Sequence, residues 1–163
     1  PHGFSVQMLL GAGNANERAE SQIIQQELQP LGIKITYRQV DPSVEFADEQ
    51  QFKYQLGFSY WTMDIADPDE LVSFAVDPTQ GAKSFYTDYN NADVIKWTHE
   101  AERTFSPSQR RALYAKIQAQ SAQDAFMVFM YYSPYLYATS DKVHGFYVYP
   151  TGNYHMENVW LSK

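Results

Sequence analysis

The sequence predicts an α/β fold with mixed sheet and flanking helices, on three observations. A strand, a helix and a second strand follow one another in the first forty residues. Two helical patterns occupy the middle of the chain, and valine- and tyrosine-rich stretches close it.

Phe4 to Leu9 alternates as a strand, and the glycines and asparagines of GAGNAN break it. Ala19, Ile23, Ile24, Leu28 and Leu31 then recur at helical spacing, with Asn14 or Asn16 as N-cap, Gly32 as terminator and Pro30 in the frayed last turn. Ile33, Ile35, Tyr37 and Gln39 alternate with Lys34, Thr36, Arg38 and Val40, giving a second strand that ends at Asp41-Pro42. A helix of this length between two strands favours a parallel pair. Residues 42–51 read as a short polar helix and Phe52 to Trp61 as a third, largely buried strand.

Asp67-Pro68 has the chemistry of a helix start, an oxygen acceptor at the cap and proline at the first helical position. Residues 77–92, with Pro78, Gly81, Asn90 and Asn91, read as loop. Val94, Ile95, Ala101 and Phe105 mark one helix and Leu113, Ile117, Gln120 and Ala125 another, the second starting at Ser106-Pro107. Phe126 to Tyr132, Tyr135 to Thr139 and Phe146 to Tyr149 read as strands, and PTGNYHMENVWL as a turn-like end with an apolar cluster.

Composition bounds the function. The 163 residues are the size of one domain, 44% are apolar, and 13 Tyr, 10 Phe and 3 Trp supply flat amphipathic surfaces for a core or a ligand site. A net charge of -7, with no basic cluster longer than Arg110-Arg111, argues against nucleic acid as a partner. The absence of cysteine removes disulfides, thiolate metal sites and a cysteine nucleophile. Residues 1–16 lack the basic start and apolar stretch of a signal peptide, so an exported parent would make this chain a mature fragment.

Gly11-Ala12-Gly13 between strand and helix invites a dinucleotide-binding reading, but Asn16 stands where that fingerprint has its third glycine, and an ordinary turn explains the pair. His2, His99, His144 and His155 are scattered and show no metal-ligand spacing, so neither a metal nor another cofactor is expected. Asp64, Asp67, Asp69 and Glu70 crowd together, and could serve as an acid pair for hydrolysis or as oxygen ligands for a cation. Asp67 has a simpler role as helix cap, whereas Asp64 has none. Asp64 follows Trp61 beyond a strand's C-terminal end, where open α/β sheets place ligands. A carboxylate beside an indole can pair with a ligand ammonium while the ring excludes water. The alternative is a core tryptophan beside a solvated loop acid.

These residues carry a resemblance. GFSYWTMDIADP at 57–68 is similar to the segment of the oligopeptide, dipeptide and nickel-type solute-binding proteins of ABC importers, family 5, in which a strand reaches Trp, then Asp, then D-P. GFSVQMLLGAGN, LGIKITYRQVDP, YNNADVIKWTHEAE, RRALYAKIQAQSAQDA and VFMYYSPYLYATSDKVHGF resemble further family segments in the same order, so that the likeness spans the chain. It implies the C-terminal part of a two-lobed, periplasmic-binding-protein-like (class II) fold. Residues 1–137 would form a distal-lobe portion, and 138–163 a return segment that packs on the N-terminal lobe of the same protein and is otherwise loosely ordered or covered by a neighbour. It implies no enzyme and no catalytic residues, but extracytoplasmic or periplasmic capture of a small solute, a peptide first, for a membrane ABC permease. Asp64 would receive the ligand's amine and Trp61 would line the cleft, with Tyr60 and Phe58 beside them. Phe58 stands where some members carry an arginine for a ligand carboxylate. A carboxylate-dependent hydrolase using Asp64 with Asp67 or Asp69, and a purely structural module, are the competing readings.

Overall fold

In the computed structural model, residues 3–81 and 83–163 are described. Tertiary contacts divide the chain into two units, one running to Tyr60 and including Phe85–Asp88, the other comprising Trp61–Ser84 and Tyr89–Lys163.

The first unit is the strand–helix–strand motif that its patterning predicts. β1 (Phe4–Gly11) and β2 (Ile33–Val40) pair in parallel over their whole length, Phe4 opposite Ile33 and Gly11 opposite Val40. Between them lies α1 (Ala15–Leu28). The Asn14 side chain caps α1 by accepting from the Glu17 amide at 3.3 Å. A short 3-10 turn, Gln29–Leu31, absorbs Pro30, and the chain leaves it through Gly32 at φ 79°, a left-handed conformation that suits a residue without Cβ. Met8, Leu10 and Ile35 form the core, with Ile24 and Leu28 of α1 packed against it. The Tyr37 hydroxyl donates across to the Ser21 carbonyl at 3.0 Å, fastening β2 to α1.

α2 (Pro42–Gln50) starts at Asp41, whose carboxylate accepts from the Ser43 amide at 2.9 Å. Arg38 of β2 reaches Asp48 of α2 at 2.5 Å. The predicted third strand is not formed. Phe52 takes φ 56°, which breaks an extended run, and the described pairing narrows to one parallel bridge between Leu56 and Met8. Two bonds hold it, Leu9 amide to Leu56 carbonyl at 2.8 Å and Leu56 amide to Gln7 carbonyl at 3.1 Å.

The second unit is built on three helices. α3 (Pro68–Val76), α4 (Ala92–Glu102) and α5 (Pro107–Asp124) follow the predicted helix starts. α4 packs on both neighbours, and Val94, Thr98 and Ala101 on its inner face are fully buried. Asn91 caps α4 by accepting from the Asp93 and Val94 amides.

The predicted strands at 126–132 and 135–139 do not form; those residues lie in irregular backbone without ladder partners among the described residues. Val128, Tyr132 and Leu136 are exposed, so strand-like composition there has no neighbouring strand to pair with. Two small antiparallel ladders follow. β3 (Val143–His144) pairs with β6 (Trp160–Leu161), and β4 (Tyr147–Val148) with β5 (Tyr154–His155). Trp160 stacks on His144 at 4.2 Å yet stays mostly exposed.

Candidate functional site

The segment from Trp61 to Glu70 has no regular structure until α3 begins, so side chains must fix its shape. Asp67 is the N-cap of α3 and accepts from the Asp69 amide at 2.8 Å. The same carboxylate takes a two-point grip from Arg110 of α5, at 2.8 Å from Nη1 and 2.6 Å from Nη2. This guanidinium and the Asp69 amide hold the Asp67 carboxyl below the usual carboxylate range. Asp69 in turn accepts from the Tyr114 hydroxyl at 3.2 Å.

Glu70 turns back along the chain. Its two carboxylate oxygens accept from the Asp64 amide at 3.1 and 2.9 Å, and one of them also accepts from the Ile65 amide at 3.0 Å. Three of the four acids in this run are therefore committed to building the loop. The fourth, Asp64, is exposed, and its carboxylate makes no hydrogen bond or ion pair with the described residues.

Trp61 is half-buried and packs on Phe74 of α3, ring centroids 4.3 Å apart at a 38° tilt. Trp61 and Asp64 thus share one loop of the second unit. Phe58 and Tyr60 fall in the first, where Phe58 leans on the Met8–Leu10–Ile35 core and Tyr60 is 85% exposed. An open hollow of ≈ 350 Å³ beside α3 and α5, lined by Pro68, Pro107, Arg110, Arg111, Tyr114 and Gln118, includes neither Trp61 nor Asp64.

Sequence reasoning missed two arrangements. Arg110 lies 43 residues from Asp67, so nothing local announces their pairing. The second is an acidic group in the first unit. Gly11 at the end of β1 leaves space that Glu45 fills, since a Cβ there would fall 2.3 Å from Glu45 Oε2. The Gly11 amide donates to Glu17 at 3.0 Å. Burial, with the like charges of Glu45 and Glu17, pushes the Glu49 carboxyl up to about 7. Glu45 is raised by burial and by Glu17. The spacing of Glu45 and Glu49, one helical turn apart on α2, was the available signal. Among the described residues no group of His, Asp and Glu has the arrangement of a metal site.

Residues 2–83 match the family model of bacterial extracellular solute-binding proteins, family 5 Middle. The chain is 24% identical over its full length to the glutathione-binding protein GsiB of Pectobacterium atrosepticum, covering 33% of that protein. It is 23% identical over 98% of its length to the oligopeptide-binding protein AppA of Bacillus subtilis, covering 30% of it. The chain therefore spans about a third of the length of these curated relatives. Among solved structures, clavulanic acid biosynthesis oligopeptide binding protein 2 superposes on the whole chain with TM-score 0.87 at 19% identity, over 31% of its own length. That likeness shows the fold, an α/β portion of the class II periplasmic-binding-protein architecture.

Proposed function

Because the chain belongs to the bacterial extracellular solute-binding proteins of family 5, we propose that it furnishes part of the cleft in which the full-length protein captures a small solute, a peptide first, outside the cytoplasm for an ATP-driven importer. Residues 1–137 act as a distal-lobe portion in this reading, and 138–163 as a return segment for the N-terminal lobe. The relatives named for binding glutathione and oligopeptides support a peptide over a sugar or a metal complex.

The observation that carries the proposal is the division of labour among the acids of 64–70. Asp67 is held by Arg110, Asp69 by Tyr114, and Glu70 by two loop amides, which leaves Asp64 with an exposed, uncommitted carboxylate in the Trp61 loop. An ammonium group is the natural counterpart of such a carboxylate, with the indole of Trp61 covering apolar atoms beside it. Tyr60 and Phe58, which belong to the first unit, are further proposed ligand contacts. The same commitments count against hydrolysis, because neither Asp67 nor Asp69 is free to act as acid or base beside Asp64.

The test is calorimetric titration of the full-length protein with tri-alanine and with N-acetyl-tri-alanine, before and after Asp64→Asn. Loss of one charge-assisted bond should weaken the free-amine peptide by about 10- to 100-fold and leave the acetylated one nearly unchanged. Equal affinities of wild type and variant for tri-alanine would remove Asp64 from the site.

A further inference from the structure

Glu70 stands in the first turn of α3, three positions after the N-cap Asp67. A glutamate there ordinarily returns to the amide of the cap residue itself. Glu70 instead passes the cap and accepts from the Asp64 and Ile65 amides, at 2.9 Å and 3.0 Å from Oε2, with Oε1 a further 3.1 Å contact to Asp64. Its bonds are spent on the loop that carries Asp64, not on the helix.

We propose that Glu70 is the positioning residue of the Asp64 loop and, by filling these two amides, fixes the site to read an amine and not a carboxylate. The inference rests on the reading that Asp64 meets the ligand's ammonium. Two successive amides converging on one point form a concavity suited to an anion. With Glu70 seated there the concavity is closed from inside, and a ligand carboxylate would meet a negative charge instead of donors. A ligand ammonium meets the opposite situation, since Asp64 and Glu70 both attract it. The anchorage is stiff at the other end too, because Asp67 is pinned to α5 through Arg110. Removing the Glu70 carboxylate frees the Asp64 backbone and unmasks two donors.

The experiment uses the full-length protein with Glu70→Gln, Glu70→Asp, Glu70→Ala and Asp64→Asn. Glutamine keeps an oxygen acceptor without the charge, and aspartate keeps the charge without the reach. Amide hydrogen exchange at Asp64 and Ile65, read without ligand, should rise about tenfold or more in the Asp and Ala variants and stay near wild type in Gln. The ratio of affinities for tri-alanine and N-acetyl-tri-alanine should fall about tenfold in Ala and by a smaller factor in Gln, which holds the loop but lacks the charge. A purely structural role would lower both affinities together and leave the ratio unchanged, which overturns the proposal. Unchanged exchange in Ala overturns it as well. If the ratio survives Asp64→Asn, the assignment of Asp64 fails and with it the amine-reading role, while the exchange result decides separately whether Glu70 holds the loop.

Discussion

Arg110 and Asp67 meet through two hydrogen bonds, at 2.6 and 2.8 Å, so that the residue starting α3 is clamped by the first turns of α5. A bidentate pair fixes direction as well as distance. The start of α3 is thereby tied to the helix that packs the second unit, and the Trp61–Asp64 loop hangs from that point.

Asp67→Ala should therefore cost more than a helix cap alone. The cap contributes about 1 kcal/mol. Leaving the half-buried Arg110 without its acceptor adds a comparable cost, moderated because both side chains retain solvent contact, for roughly 1.5–3 kcal/mol in all. Urea unfolding of the single variants and of the Asp67→Ala/Arg110→Ala double variant would show a coupling term; strictly additive losses would contradict the clamp.

Asp77 predicts acid lability in the second unit. It is fully buried and accepts from the Thr79 amide at 2.9 Å, the Thr79 hydroxyl at 2.7 Å and the His99 ring at 2.7 Å. Burial pulls its pKa up, but these bonds together outweigh it and hold the carboxyl below its usual value. A depressed folded pKa means stability that is present above the ordinary aspartate range and lost as pH falls through the folded value. Asp77→Asn should lower stability at neutral pH by about 1–3 kcal/mol and flatten the acid limb. The check is thermal unfolding from pH 6 to pH 3, and an unchanged acid limb in the variant would count against Asp77.

Glu49 predicts the opposite slope in the first unit. Its pKa is raised to about 7 by burial and by Glu45 and Glu17, so between its ordinary value of 4.5 and 7 the folded state holds a proton that the unfolded state releases. Stability should then fall as pH rises through that window. Glu49→Gln removes the carboxyl that must lose this proton, and should be more stable than wild type at pH 8 by about 1–2 kcal/mol, with a smaller gain at pH 5. Unfolding midpoints at the two pH values test it, and a wild type equally stable at both would exclude a buried, proton-holding Glu49.

What the sequence made legible was whatever depended on near neighbours. Asn14 and Asp67 announce helix starts because an oxygen two or three residues from a free amide decides the geometry. The parallel pair β1–β2 was readable from alternation. The segment 52–61 looked like a strand, but Phe52 at its first position takes φ 56° and the described pairing is one bridge at Leu56, neither of which composition records. β5 and β6 were missed because two paired residues are too short to show a period. In the site, Asp64 and Trp61 stood out by type and spacing. The commitments that isolate Asp64 came from Arg110 and Tyr114, more than forty positions away in α5, and such pairing leaves no local trace.

The exposed aromatic stretch yields the last prediction. Val128 is 81% exposed, Tyr132 101% and Leu136 86%, in backbone that lacks ladder partners among the described residues. Strand-forming side chains in irregular backbone outside any ladder are a surface that another strand can complete. In the proposed full-length protein, where 138–163 returns to the N-terminal lobe, that partner is supplied by the same polypeptide. Amides from Phe126 to Tyr137 should exchange rapidly in the 163-residue chain and at least about a hundredfold more slowly in the full-length protein. Tyr132→Asp should accordingly destabilise the full-length protein by about 1–3 kcal/mol and the short chain hardly at all. Equal exchange in the two proteins would place the stretch on the outer surface of both, and the division of the chain near residue 137 would have to be abandoned.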